Sequence, residues 1–321
     1  MYLNKTSSNK SIKQMRHMTK YILVLLMIPM MASAQQDPQF THYMYNTIYV
    51  NPAYAGSRDA LTVGLLHRNQ WIGLDGAPTS QTFYLHTPLR NKSLNVGFSA
   101  VNDRIGPITQ TMFYGDFAYR FNLTENIRWS FGLKGGVKLF QPRISDLNTT
   151  QPDDPNITGN GLENSVLPNI GFGTYLNSDK WYVGIGIPKM IESNIPTVDG
   201  DTRDVTDKRH YFFIGGLILP VSNSIKLKPT TQFKVVENAP SSLDVTVEAL
   251  FNDRFSIGVA HRIQDSFSVL AGFNVNEQFR AGVSWDFTTS ELNQVNNGSL
   301  EFMLMYDFLF KDSKLKSPRY F

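Results

Sequence analysis

Histidine is the side chain best suited to bind a metal or move a proton near neutral pH, and this sequence has six: His17, His42, His67, His86, His210 and His261. A zinc site would set two of them around a glutamate, as in H-E-x-x-H, and a hydrolytic site would join one to a serine and an orienting polar group. No pair here has a metal-ligand spacing. The chain contains no cysteine, so disulfides and thiolate metal sites are excluded too. His261 lies among the apolar residues of an alternating run and is expected to face lipid or an aromatic girdle rather than act as a base. Asp146, Asp153, Asp154 and Glu163 share one long stretch, but without the regular ligand spacing of a calcium loop they read as a solvated acidic loop. The expectation is no catalytic residue, no metal, no cofactor and hence no enzyme.

The elements that carry these residues are strands. Between Ser242 and Asp286 three adjoining runs alternate apolar with small or polar residues, led by Phe255, Ile257, Val259 and His261, by Phe267, Val269, Ala271 and Phe273, and by Phe279, Ala281, Val283 and Trp285. Period two is the mark of a strand with one apolar face, and polar turns such as Asn252-Asp253-Arg254 join one run to the next. The pattern recurs in fourteen strands that start near Leu61, Thr79, Ser93, Thr109, Ile127, Leu167, Lys180, Arg209, Ile225, Ser242, Arg254, Phe267, Gln278 and Ser299. Ten residues at about 3.4 Å each, tilted by roughly 40°, cross the apolar band of an outer membrane. The expected fold is all-β: a transmembrane antiparallel up-and-down β-barrel of about 14 strands, with a short N-terminal periplasmic or plug segment.

Connection lengths support that reading. The three longest, Pro142 to Val166, Pro188 to Lys208 and Thr288 to Gly298, all follow odd-numbered strands, whereas connections after even-numbered strands, such as Asn91-Lys92 and Ser178-Asp179, are short. Bacterial barrels place long loops outside and short turns on the periplasmic side, where both termini are therefore expected. Trp71, Trp129, Trp181 and Trp285 fit aromatic girdles. A ring of this size is roughly 25 Å across, too wide for ordinary side chains to close. The less apolar strand faces supply Arg128, Ser130, Lys134, Lys138, Lys226, Lys228, Gln232, Lys234, Asp244, Glu248, Arg280 and Asp286 to the lumen. With both signs present, a salt-bridged filling is favoured over a selective pore.

The ends read differently from the middle. Lys10, Lys13, Arg16 and Lys20 precede the apolar run Tyr21 to Met31, and Ala32-Ser33-Ala34 offers a cleavage site, so residues 1–34 are expected to be a secretory signal peptide. Losing its five basic residues takes the formal charge from +3 to −2, which leaves nothing to attract nucleic acid. Residues 35–60 are rich in aromatics and carry Asn51-Pro52, consistent with a short helix ended there, lodged in the lumen or at the mouth. The barrel is expected over 61–310, with Phe310 placed to serve as the C-terminal aromatic of its last strand, and 311–321 as a tail.

Six blocks then occur in order: Asp37 to Asn46, Asn51 to Ser57, Arg68-Asn69-Gln70-Trp71, Gly76-Ala77-Pro78, Asn102 to Pro107, and Ser317-Pro318-Arg319-Tyr320-Phe321. Together they resemble the PorP/SprF family of outer-membrane proteins found with the type IX secretion and gliding machinery of Bacteroidota. The resemblance implies a non-enzymatic barrel in the outer membrane of a Gram-negative bacterium. Its partners would be membrane lipids, a secreted cargo protein with a C-terminal targeting domain, and the translocon or periplasmic ring of the machine. The motif residues singled out as interaction candidates are Phe40, Tyr43, Asn46, Asn51, Pro52, Gly56, Gln70, Trp71, Gly76, Pro78, Asn102, Asp103, Arg104, Arg319, Tyr320 and Phe321. The competing reading is a channel or uptake barrel for a small solute or lipid, which would need an open lumen.

Overall fold

A computed structural model describes residues 37–143, 164–195, 205–237 and 239–308. The expected signal peptide, the acidic stretch around Asp146 to Glu163, Phe310 and the motif residues Arg319, Tyr320 and Phe321 lie outside the described residues. What is described is a closed antiparallel barrel of fourteen strands. They are β1 (Leu61–Asn69), β2 (Thr79–Pro88), β3 (Leu94–Ile105), β4 (Ile108–Asn122), β5 (Arg128–Pro142), β6 (Ser165–Asn177), β7 (Trp181–Ile187), β8 (His210–Leu217), β9 (Ile225–Val236), β10 (Ala239–Phe251), β11 (Phe255–Arg262), β12 (Ser266–Asn274), β13 (Phe279–Thr288) and β14 (Ser299–Phe308).

Each strand pairs with its sequence neighbours, and the ring closes where β1 meets β14, from Leu61 opposite Phe308 to Asn69 opposite Leu300. The alternation in the sequence becomes alternation in space. On β11, Phe255, Ile257, Val259 and His261 are exposed while Ser256, Gly258, Ala260 and Arg262 are buried, so His261 faces outward as its pattern required. Strand boundaries fall close to those expected; the largest shift is in β10, which starts at Ala239 instead of Ser242.

The connections after β5, β7 and β13 are the long ones. The one after β7 carries a small hairpin of Ser193–Ile195 with Val205–Asp207, and the one after β13 carries a 3-10 turn, Glu291–Gln294. The barrel thus has a long-connection mouth and a short-connection mouth. At the latter, Phe121 stacks on Phe131 and packs tilted against Trp129 in an outward aromatic cluster, the amphipathic belt expected where strands leave the apolar band. Trp71 departs from the girdle reading: it sits in the β1–β2 connection, at φ 50°.

A cation on the outer face at mid-strand has no water and no partner. Val259→Lys, at the centre of β11, is expected to lower the unfolding free energy by about 2–4 kcal/mol, read from urea titration of the barrel in lipid vesicles; a change below ~0.5 kcal/mol would mean that this face is not lipid-facing.

Candidate functional site

The lumen is occupied by the chain itself. After Asp37 the segment folds into a 3-10 turn (Tyr43–Tyr45), one turn of α-helix (Thr47–Val50) and a second 3-10 turn (Pro52–Tyr54). Proline at 52 disfavours helix at Asn51, and the Asn51 side chain instead accepts from the Ala53 amide at 3.0 Å to start the next turn. Phe40, Met44, Tyr45, Ile48 and Tyr54 are buried, Ile48 completely. In a water-exposed peptide this density of aromatics would be costly; inside the ring it fills space the strands cannot.

The segment runs from mouth to mouth. At its start the Asp37 carboxylate is 2.6 Å from Lys189, just past the end of β7, and Lys189 is 2.7 Å from Asp207, just before β8. Burial pushes the Asp37 carboxyl up, but the ammonium of Lys189 and the nearby His210 outweigh it and hold it below the usual carboxylate range. Lys189 is correspondingly shifted up, burial being outweighed by Asp37 and Asp207. At the far end Asp59 meets Arg120 at 2.8 Å and Arg128 at 2.6 Å. Burial raises the Asp59 carboxyl, and the two guanidiniums more than reverse this. The strand ends Leu61 and Phe308 share the short-connection mouth, but Asp37 stands at the long-connection mouth, opposite to where the N-terminal side of the chain was expected.

Between these ends the wall and the segment neutralise each other. Glu301 on β14 accepts from the Thr41 amide at 2.9 Å, and from the His42 amide and His42 Nδ1 at 2.8 Å each. Arg68 on β1 lies 3.2 Å from Glu301 and 2.6 Å from Asp286 on β13, and Asp286 also accepts from the Thr41 hydroxyl at 2.9 Å. Lys228 and Arg280 sit over the Tyr45 ring, 4.1 and 4.4 Å from its centroid, and both pair with Glu248, which also accepts from the Tyr45 hydroxyl at 2.8 Å. Lys134 bridges Asp116 at 2.8 Å, and Arg262 meets Asp244 at 2.6 Å. The expected salt-bridged filling is present, with Arg128 and Lys226 lying instead at the short-connection mouth, where they pair with Asp59 and Asp253.

Glycines make the room. Gly132, Gly173 and Gly186 stand side by side on β5, β6 and β7. A Cβ at Gly132 would lie 2.2 Å from the Ala53 nitrogen, at Gly173 2.0 Å from Asn51 Oδ1 and at Gly186 2.1 Å from the Val50 carbonyl. The backbone from Val50 to Ala53 therefore rests directly on the wall. Gly56, at φ 70°, turns the chain out again.

The motif residues fall into two groups. Phe40, Tyr43, Asn46, Asn51, Pro52 and Gly56 belong to the lumen segment, and Phe40, Tyr43 and Asn46 line a small cleft with Asp37, Gln232 and Lys234. Gln70, Trp71, Gly76, Pro78, Asn102, Asp103 and Arg104 gather at the long-connection mouth. There Gln70 N bonds Pro78 O (2.9 Å), Ile72 N bonds Gly298 O and Asn297 N bonds Ile72 O (2.8 Å each), Trp71 N bonds Ser299 Oγ (3.1 Å), and Gly106 N bonds Gly76 O (2.8 Å). Asn102 donates to Gln81 at 2.9 Å, and Asp103 accepts from Ser80 at 2.5 Å. Three connections are thus braced into one platform, on which Arg104, Ile105, Asp75, Leu292 and Val295 are exposed. Reading the sequence alone missed Arg58, Lys189, Glu301 and Asp307; for the two carboxylates, their place on the inward side of the last strand was the available signal.

The model of the PorP/SprF family, type IX secretion system membrane proteins, matches residues 32–306. The chain belongs to this family. The barrel and the family together make it an outer-membrane protein. No curated protein matches it in sequence. Among solved structures it is similar to a FadL homologue from Pseudomonas aeruginosa (13% identity, 87% of this chain and 96% of that one, TM-score 0.44). It is also similar to the NanC porin (9%, 78% and 100%, 0.40) and the KdgM porin (7%, 77% and 99%, 0.36). Likeness at this level carries no argument about what passes through, or binds to, a PorP/SprF barrel.

Gly173→Val should drive Asn51 and Pro52 off the wall. The expected result is a barrel that still migrates in its compact form before heating but lets small sugars into proteoliposomes; if it stays as tight as the wild type, the segment is not seated on the glycines.

Proposed function

We propose that this PorP/SprF protein is a non-enzymatic adaptor of type IX secretion, which binds a cargo protein with a C-terminal targeting domain at its long-connection mouth and displays it or hands it over at the cell surface, as in gliding motility. The observation that carries this is the filled lumen. A solute channel must leave a wetted path, whereas here the chain spends some twenty residues of its own on closing the ring. What remains to recognise a partner is surface, and the platform of Gln70 to Pro78, Asn102 to Gly106 and Asn293 to Gly298 is pre-ordered by main-chain bonds, which lowers the entropy lost on binding. The proposed orientation puts the long connections outside and the short turns toward the periplasmic ring and translocon.

Affinity purification of the tagged protein from its own outer membrane in mild detergent, with mass spectrometry of what co-purifies, tests the reading. A large secreted protein bearing a targeting domain, or components of the secretion machine, is the expected recovery; a barrel that comes out alone contradicts it. Replacing Glu291–Val295 with a glycine-serine run is expected to lower cargo recovery at least tenfold, a loss of about 1.4 kcal/mol, with unchanged heat-modifiable migration.

A further inference from the structure

In a ring of consecutive hairpins only one pairing joins distant parts of the chain, and here it is β1 with β14. Closing it costs the most loop entropy, and a slip of one residue would turn the inward carboxylates of β14, Glu301 and Asp307, toward lipid. Both carboxylates are met twice. Asp307 accepts from Thr62, its register partner on β1, at 2.6 Å, and pairs with Arg58 of the segment at 2.7 Å. Glu301 faces Arg68, its register partner on β1, and accepts from Thr41 and His42 of the segment. Elsewhere the segment touches strands already held by hairpins, for example through Tyr43 to Thr230 on β9 at 3.1 Å.

We infer that the segment from Asp37 to Ala60 is the template on which the barrel closes: it holds the Arg58 guanidinium and the Thr41 and His42 donors beside β1 so that β14 is recruited, in one register, by its two carboxylates. The segment is then needed for assembly before it serves as filling.

The full-length chain, refolded from urea into lipid vesicles and sampled for its compact, heat-modifiable form, tests this. Arg58→Gln and His42→Phe, which remove segment side chains bonded to Asp307 and Glu301 and leave every strand intact, are expected to slow folding, Arg58→Gln roughly tenfold, with little change in unfolding rate. Tyr43→Phe, which removes a segment bond away from the seam, is expected to leave the folding rate unchanged and to speed unfolding. Should Arg58→Gln give no folded barrel, the rate for His42→Phe, which keeps the ring's bulk and loses only its bond to Glu301, decides. Seam variants that fold at the wild-type rate and only unfold faster would overturn the inference, because their bonds would then form after closure.

Discussion

A charge lining a fourteen-stranded ring has no low-energy place unless an opposite charge or a hydrogen-bond donor meets it, since the lumen is walled from bulk water once anything fills it. Glu301, Asp286, Glu248, Asp244, Asp116 and Asp307 all point inward. Breaking a buried pair so that one charge is left bare typically costs about 3–5 kcal/mol. The remaining features follow from this pairing. Arg68 and Arg262 come from neighbouring strands, but Arg58, His42, Thr41 and the Tyr45 ring must come from a segment that the barrel holds inside it.

The same requirement explains the wall. Where the segment carries bulk, the wall carries glycine, as at Gly132, Gly173 and Gly186 beneath Val50 to Ala53. Where the segment carries hydroxyl or amide groups, the wall carries carboxylates, as at Glu301 and Glu248. Because the two surfaces are complementary in both shape and charge, the lumen behaves as the core of the protein.

Much of this was legible in order along the chain. The strands announce themselves through period two, because lipid demands an apolar residue at every second position; His261 could be placed outward on that ground alone. Asn51-Pro52 marked the end of the helical turn, and the inward lysines and carboxylates of β5, β9 and β10 were countable from alternation. Pairings across long sequence separations were not legible. Nothing local joins Asp37 to Lys189 or Arg58 to Asp307. Glycine within a strand reads as a weak strand residue until the backbone it admits is known, so the cradle was invisible, as was the mouth at which the segment enters.

Hydrogen–deuterium exchange of the full-length protein in lipid vesicles tests the central claim most directly, that residues 40–56 are core rather than a mobile stopper. Peptides covering Phe40 to Gly56 should exchange as slowly as those of β5 and β14, with opening only through global unfolding. Exchange of that segment at the rate of the exposed Glu291–Val295 connection would contradict the account.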